Sequence, residues 1–505
     1  MFLVGSILSW FLRQRSSQIL EFMEHPAECQ EQVFQSLLEN GRETEWGKQF
    51  DYNSIKTIDE YRQRVPLQDY DSLKPYIERI MKGEANPLWN SPVKWFAKSS
   101  GTTSDKSKFI PVTVQSIEDC HYKGTTDMLA LYCQHNENSK IFDGKGLIVG
   151  GSHQINQLNS QSYYGDLSAV LMQNMSFFGQ LFRTPDLSIA LMDDWEKKIE
   201  AMAQATLHEN VTNISGVPTW TLVLIKRLFE LSGKDNLHDI WPDLELYIHG
   251  GVSFTPYRDQ FLKITQPEKT RFYNVYNASE GFFAFQMNNT DEDMLLHTNN
   301  GIFYEFIPSS EIFNEHPKTI LIDEVDTDTN YAIVISTNSG LWRYVVGDTI
   351  RFTSTRPHKI EVSGRIKHFI NAFGEEVIVD NSDRAIAAAS QLTGAEVRDY
   401  TVAPLYLSFG GKGGHEWVIE FAKMPPDIEV FAQLLDDNLR AVNSDYDAKR
   451  QKDIALHRLI IDVAPEGTFH AWLKSKGKLG GQHKVPRLCN DRKLVEELLV
   501  IINNN

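Results

Sequence analysis

At 505 residues the chain exceeds what one hydrophobic core usually serves, which predicts two or more packed units. Its 67 acidic and 50 basic side chains leave a formal net charge of -17. That balance excludes a general affinity for nucleic acid or anionic membranes, while small anions remain possible at local basic groups.

The opening stretch, MFLVGSILSWFLRQR, carries an apolar run, but Arg13 and Arg15 follow it and no positive charge precedes it. The run is also far short of the roughly 20 apolar residues that span a bilayer, so it reads as an amphipathic packing helix without stable membrane insertion. Cys29, Cys120, Cys133 and Cys489 are scattered without CxxC spacing and read as reduced thiols of a cytosolic protein. Helical spacing of apolar residues predicts helices over Gln30–Asn40, Ser54–Arg64 and Leu73–Met81. From about Lys94 short apolar runs alternate with helical stretches. Strands are expected at Gly146–Gly150, Val211–Ile214, Leu244–His249 and Arg271–Tyr276, with the helix Thr219–Leu231 after the second. That alternation predicts a largely parallel α/β sheet with ligands beyond the carboxyl ends of its strands.

A β-rich stretch follows, with strands expected at Thr319–Glu324, Tyr331–Thr337, Leu341–Val346, Thr349–Thr353 and Ile360–Ser363. The last part reads as an α+β unit: strands near Asp399–Phe409 and Glu416–Phe421, the helix Asp427–Val442, the strand Ala455–Val463, and helices Gly467–Lys476 and Asp491–Ile501.

Four segments carry residues suited to nucleotide chemistry. Lys98-Ser-Ser-Gly-Thr-Thr-Ser-Asp-Lys-Ser-Lys108 concentrates hydroxyls, a glycine and lysines in a turn, as polyphosphate binding requires, although it also fits an exposed Ser/Thr-rich loop. Tyr276-Asn-Ala-Ser-Glu-Gly281 follows a strand and could hold a phosphate oxygen and magnesium; Ser279 would serve equally well as a helix cap. Leu341-Trp-Arg-Tyr-Val-Val-Gly-Asp348 places a carboxylate after Gly347, able to accept ribose hydroxyls or simply to occupy a hairpin turn. Lys478-Leu-Gly-Gly-Gln-His-Lys-Val-Pro-Arg487 reads either as a flexible loop delivering Lys484 or as a solvated surface loop. The basic segment Gly364–Val377 lies where the two units meet in sequence. His121 and His135 lack metal-ligand spacing and read as structural or exposed.

In this order the segments SSGTTSDKSKFIP, YNASEGFF, LWRYVVGDTIRF and GQHKVPR resemble the adenylate-forming superfamily of acyl-CoA synthetases and luciferases. More closely, the chain is similar to the auxin-responsive promoter family of acyl acid–amido synthetases, whose members conjugate plant hormones to amino acids and which has bacterial relatives. The resemblance implies a large N-terminal α/β domain with mainly parallel sheets and a β-rich subdomain (1–363), a hinge (364–367), and a smaller α+β domain (368–505) that rotates between half-reactions. It implies ATP phosphates at Ser99, Ser100, Gly101, Thr102 and Thr103, with Lys106 and Lys108 nearby. Gly250, Gly251 and Val252 would line the adenine and Tyr276 would stack on its other face. Ser279 would hold the α-phosphate, Glu280 the magnesium and Asp348 the ribose. Arg365 corresponds to a nucleotide-contacting arginine, Lys367 to the hinge and Lys484 to a lysine that reaches the phosphate. At Asn277 and Ala278 the sequence departs from the family's small or hydroxyl residues.

The implied activity is ATP- and magnesium-dependent activation of a small carboxylic acid as its acyl-adenylate, then transfer to an amine, in particular an amino acid. An acyl-CoA ligase is the nearest alternative, and a non-catalytic nucleotide-binding module an alternative of another class. No residue identifies itself as a base for the second step, and the sequence leaves the oligomeric state open.

Overall fold

The computed structural model describes residues 12, 15–99, 108–150, 155–192, 194–255, 257–312, 314–366, 369–370, 375, 377–406, 413–443, 446–447, 450, 456–477, 484–489 and 491–503, the side chains at 178, 219 and 369 excepted. The expected N-terminal packing helix falls largely outside these residues. The chain divides into two compact units, one of Met1–Val252 with Thr265–Glu361, the other of Ser253–Ile264 with Val362–Asn505.

Among the described residues the first unit is organised on an eleven-stranded sheet. Its parallel half runs in the order Arg183–Thr184, Lys145–Val149, Val211–Gly216, Leu246–Gly250 and Arg271–Ala278. Between those strands lie helices such as Pro218–Ser232, with proline at the first helical position and Gly233 at φ +67° closing it. Proline costs nothing where the N–H has no helical partner, and glycine takes the left-handed conformation without a Cβ clash.

At Arg271–Ala278 the sheet changes character. The next strand, Gly281–Gln286, returns antiparallel, pairing Gly281 with Ala278. Ser279-Glu280 is therefore a two-residue hairpin turn, not a helix start. Beyond it Met294–Leu296 and His358–Arg365 continue antiparallel, as do Ile302–Pro308, Asn330–Thr337 and Tyr344–Thr355 among themselves. Phe282, Phe283 and Phe285 are all buried in the principal core.

Two expectations change in this antiparallel half. The strands expected at Leu341–Val346 and Thr349–Thr353 are one strand, Tyr344–Thr355, interrupted by a bulge. Val334 pairs with Val345 and Ala332 with Thr349, so Val346–Asp348 face a single partner residue, with Gly347 at φ +94°. Thr319–Glu324 is not a strand. Ile320 makes one isolated bridge to Phe306, while the Thr319 hydroxyl donates to Glu305 Oε1 at 2.6 Å and Glu324 Oε2 accepts from Leu321 N at 2.8 Å. Side-chain hydrogen bonds replace the ladder there. The helix expected over Ser54–Arg64 begins only at Ile58, because Thr57 accepts from Glu60 N at 3.2 Å as its cap.

A smaller four-stranded sheet carries Trp95–Ser99 between Lys108–Val112 and Tyr163–Gly165. The second unit is α+β. Strands Glu396–Tyr406 and Gly413–Lys423 pair antiparallel, Ile460–Ala464 adds in parallel, and helices Val379–Thr393 and Ile428–Val442 contribute Ile386, Phe431 and Leu435 to a core with Tyr400 and Trp417.

Candidate active site

The first unit brings three of the four sequence segments together. Ser99 pairs with Lys108 in the antiparallel register of the two strands on either side of the hydroxyl-rich segment. Ser100, Gly101, Thr102, Thr103 and Lys106 lie outside the described residues. Lys108 Nζ donates to Tyr344 Oη at 3.4 Å and lies 5.7 Å from the Tyr70 ring centroid. Tyr344 is buried, and burial, then Glu280, Tyr70, Asp69 and Asp348, push its phenol well above its ordinary range. One buried tyrosine thus lies within electrostatic reach of both the hairpin-turn carboxylate and the bulge carboxylate, with Lys108 on its hydroxyl.

Tyr276 closes the arrangement. Its hydroxyl donates to Asp348 Oδ2 at 2.7 Å, and its ring packs 4.7 Å from Phe283 at 57°. The bulge is what directs Asp348 here, since surplus residues in one strand break the alternation and re-aim the side chains they carry. Next to this strand, Gly250 pairs with Val275, and a Cβ at Gly250 would stand 2.3 Å from the Val275 carbonyl oxygen. Only glycine permits that approach of backbone to backbone. Gly251 then turns the chain at φ +81°, and Val252 ends the first of the two stretches that make up the first unit.

Sequence reading missed two participants. Tyr344 sits inside LWRYVVGD and was legible as part of that segment, whereas Tyr70, which also accepts from Phe109 N at 2.8 Å, carries no local signal. His121 is buried, and His135 is exposed. The departure at Asn277 has a partner: His121 Nδ1 lies 3.0 Å from Asn277 Oδ1. His121 lies in the last turn of the π-helical stretch Ser116–Tyr122, a distortion common at functional sites.

Burial pushes the His121 imidazole down from 6.5 to about 4. Its protonation is therefore favoured in the unfolded chain, and stability present above pH 6.5 is lost as pH falls towards 4. That amounts to about 2 kcal/mol at pH 5. His121→Gln should shrink the acid-side fall in thermal midpoint by a corresponding amount. Parallel melting-against-pH curves for parent and variant would contradict this.

The second unit holds Arg365, half-buried at the end of His358–Arg365, and Lys484, exposed just ahead of Val485. Lys367 lies outside the described residues. No group of three or more His, Cys, Asp or Glu able to hold a metal ion occurs among the described residues. Glu280 at its turn offers one carboxylate, which suits a magnesium ion that takes its other ligands from phosphates and water. No helix among the described residues is long and apolar enough to cross a membrane.

This parallel sheet continued by an antiparallel half, with an α+β unit after it, is the fold of the adenylate-forming enzymes. The structure aligns with 2-hydroxyisobutyryl-CoA ligase in the postadenylation state at a TM-score of 0.58 and 12% identity, over 95% of this chain and 92% of that one. The chain belongs to the GH3 family: its N-terminal domain model matches residues 15–270, its central domain 295–365 and its C-terminal domain 380–493. The resemblance carried by the four sequence segments is thereby borne out.

Indole-3-acetic acid-amido synthetase GH3.3 of Arabidopsis thaliana is 23% identical, covering 93% of this chain and 90% of the relative. Jasmonoyl–L-amino acid synthetase JAR4 of Nicotiana attenuata is also 23% identical, with 94% and 93% covered. A solved acyl acid amido synthetase, AtGH3.15 in complex with 2,4-DB, aligns at a TM-score of 0.80 with 18% identity, over 96% of this chain and 95% of that one.

Proposed function

We propose that this chain is an ATP-dependent acyl acid–amido synthetase, which activates a small carboxylic acid as its acyl-adenylate and transfers the acyl group to an amino acid. The observation that carries this reading is the Tyr276–Asp348 hydrogen bond, with Lys108 and Glu280 disposed about Tyr344 beside it. An aromatic face, a ribose-type acceptor, a cation and a carboxylate are the elements that an adenosine triphosphate needs.

In the first half-reaction a carboxylate oxygen attacks the α-phosphorus and pyrophosphate leaves. Both reactants are anionic, so positioning and charge neutralisation dominate. Tyr276 supports the adenine from one side and Gly250, Gly251 and Val252 from the other. Asp348 accepts the ribose hydroxyls, and Ser279 holds the α-phosphate. Ser99, Ser100, Gly101, Thr102 and Thr103 cradle the remaining phosphates, with Lys106, Lys108 and Lys484 supplying positive charge and Arg365 contacting the nucleotide. Magnesium, held through Glu280, would neutralise phosphate charge. In the second half-reaction the amine attacks the activated carbonyl and AMP leaves. The C-terminal domain, 368–505, rotates about 364–367 at Lys367 between the two steps, and the enzyme works in the cytoplasm.

ATP–pyrophosphate exchange with magnesium, screened against aromatic, indolic and aliphatic acids, tests this directly. Exchange that depends on one acid is the expected result, followed by AMP release that requires an amino acid. AMP release that requires a thiol instead would replace the reading with an acyl-CoA ligase. ATP binding without exchange for any acid would replace it with a binding module.

A further inference from the structure

In the segment that carries Lys484, the arginine that ends it is the anchored residue. Arg487 Nη2 donates to Tyr257 Oη at 2.7 Å, Nη1 donates to the Tyr400 carbonyl at 3.0 Å and to Asp399, and the guanidinium lies 4.4 Å from the Tyr400 ring centroid. The Tyr400 hydroxyl in turn donates to Asp383 Oδ1 at 2.6 Å. The backbone is stitched down as well. Val402 N donates to Arg487 O at 2.9 Å, Cys489 N to Val402 O at 3.0 Å, and the Thr401 hydroxyl to Pro486 O at 2.7 Å. Lys484 thus stands, exposed, two residues before a segment whose main chain and arginine are both fixed.

Tyr257 is the unusual partner. It comes from Ser253–Ile264, the stretch that leaves the first unit directly after Gly250-Gly251-Val252 and packs as part of the second. That stretch is tied to the strand Glu396–Tyr406 by Tyr257 Oη donating to Arg398 O at 3.3 Å, by Gln260 Nε2 donating to Val397 O at 3.0 Å and by Lys263 with Glu396. Arg487 therefore ties the lysine segment to the chain that continues the glycine pair.

We infer that Arg487 and Tyr257 are a positioning pair for Lys484, fixing where the lysine is presented during adenylation. This rests on Lys484 serving the first half-reaction. A planar guanidinium fork suits the role, because its hydrogen-bond directions are set and a lysine could not reproduce them. The pair touches no reacting atom. Its effect runs through the lysine and belongs to one half-reaction.

Tyr257→Phe keeps the ring and removes the hydroxyl. With the acid found by the exchange screen, pyrophosphate exchange should fall about tenfold through kcat, with the KM for ATP unchanged. AMP release from presynthesised acyl-adenylate and amino acid should change less than about twofold. Arg487→Lys should behave in the same way. In a Lys484→Ala background Tyr257→Phe should add nothing further, because the lysine through which it acts is gone. Equal slowing of both half-reactions, or a further tenfold loss in that background, would overturn the pair while leaving Lys484 in place. Unchanged exchange in Lys484→Ala alone would instead remove the lysine's role, and the pair's with it.

Discussion

Glu280→Ala should lose acid-dependent pyrophosphate exchange by about a hundredfold or more and still fold as the parent does. The two halves of this expectation have separate structural grounds. Ser279-Glu280 is a two-residue turn whose strands are held by main-chain pairing and by Phe282, Phe283 and Phe285 in the core, none of which uses the Glu280 side chain. The turn survives because its backbone is set from both sides. The carboxylate, by contrast, lies within electrostatic reach of Tyr344, and in the proposed reading it holds the cation that meets the phosphate charge. Glu280→Gln, which keeps the shape and removes the charge, should show the same loss and shift the magnesium dependence to higher concentration. Near-normal exchange with an unshifted magnesium curve would refute the assignment of the metal to Glu280.

A second large effect is expected in stability. Arg343 lies inside LWRYVVGD yet points away from nucleotide chemistry. Its Nε and Nη2 donate to the two oxygens of Glu305 at 2.9 and 2.8 Å, and Nη1 donates to the carbonyls of Arg62 and Val65 at 2.9 and 2.6 Å. Both partners are buried, Arg343 at 5% exposure and Glu305 at 1%. Arg343 also holds φ +44°, a left-handed conformation its hydrogen bonds must maintain. Truncation strips the bidentate fork from the buried Glu305 carboxylate and leaves it the Thr319 hydroxyl and the more distant Arg62 guanidinium at 3.7 Å. Arg343→Ala should cost roughly 3–5 kcal/mol in urea unfolding. Arg343→Met with Glu305→Gln should recover part of that, since no uncompensated charge remains. A cost below about 1 kcal/mol for Arg343→Ala would show that the ion pair is not the strut described here.

Much of the architecture was legible because it follows from local pattern. The helix over Pro218–Ser232 announces itself by its proline and its closing glycine, and Ile428–Val442 by the Asp427 cap. What escaped local pattern was decided at a distance. Nothing in VVGD distinguishes a hairpin turn from a bulge, because the difference lies in which residues of Asn330–Thr337 face it. Thr319–Glu324 has strand composition, but Glu305 and Glu324 claim its hydrogen-bonding groups. The residues of the candidate site were readable as segments, whereas their meeting point was not. The hydrogen bond from Lys108 to Tyr344 spans more than two hundred positions of sequence, and Tyr70 enters only through the fold. His121 lacks metal-ligand spacing and so carries no local signal, and its partner Asn277 is one of the two residues in YNASEG that depart from the family pattern.

The allotment of Ser253–Ile264 to the second unit bears on how the enzyme can be recombined with its relatives. An exchange cut only at residue 362 would transplant Val362–Asn505 and leave behind a stretch that belongs with it. Phe254, Tyr257 and Phe261, all buried here, would then meet a foreign surface, and Tyr257 would lose the arginine it accepts from. A chimera that carries both pieces, the short internal one and the long terminal one, moves the whole packed body. For this scaffold the exchangeable module is therefore discontinuous in sequence, and grafts designed on linear boundaries should yield insoluble protein where two-piece grafts yield folded enzyme.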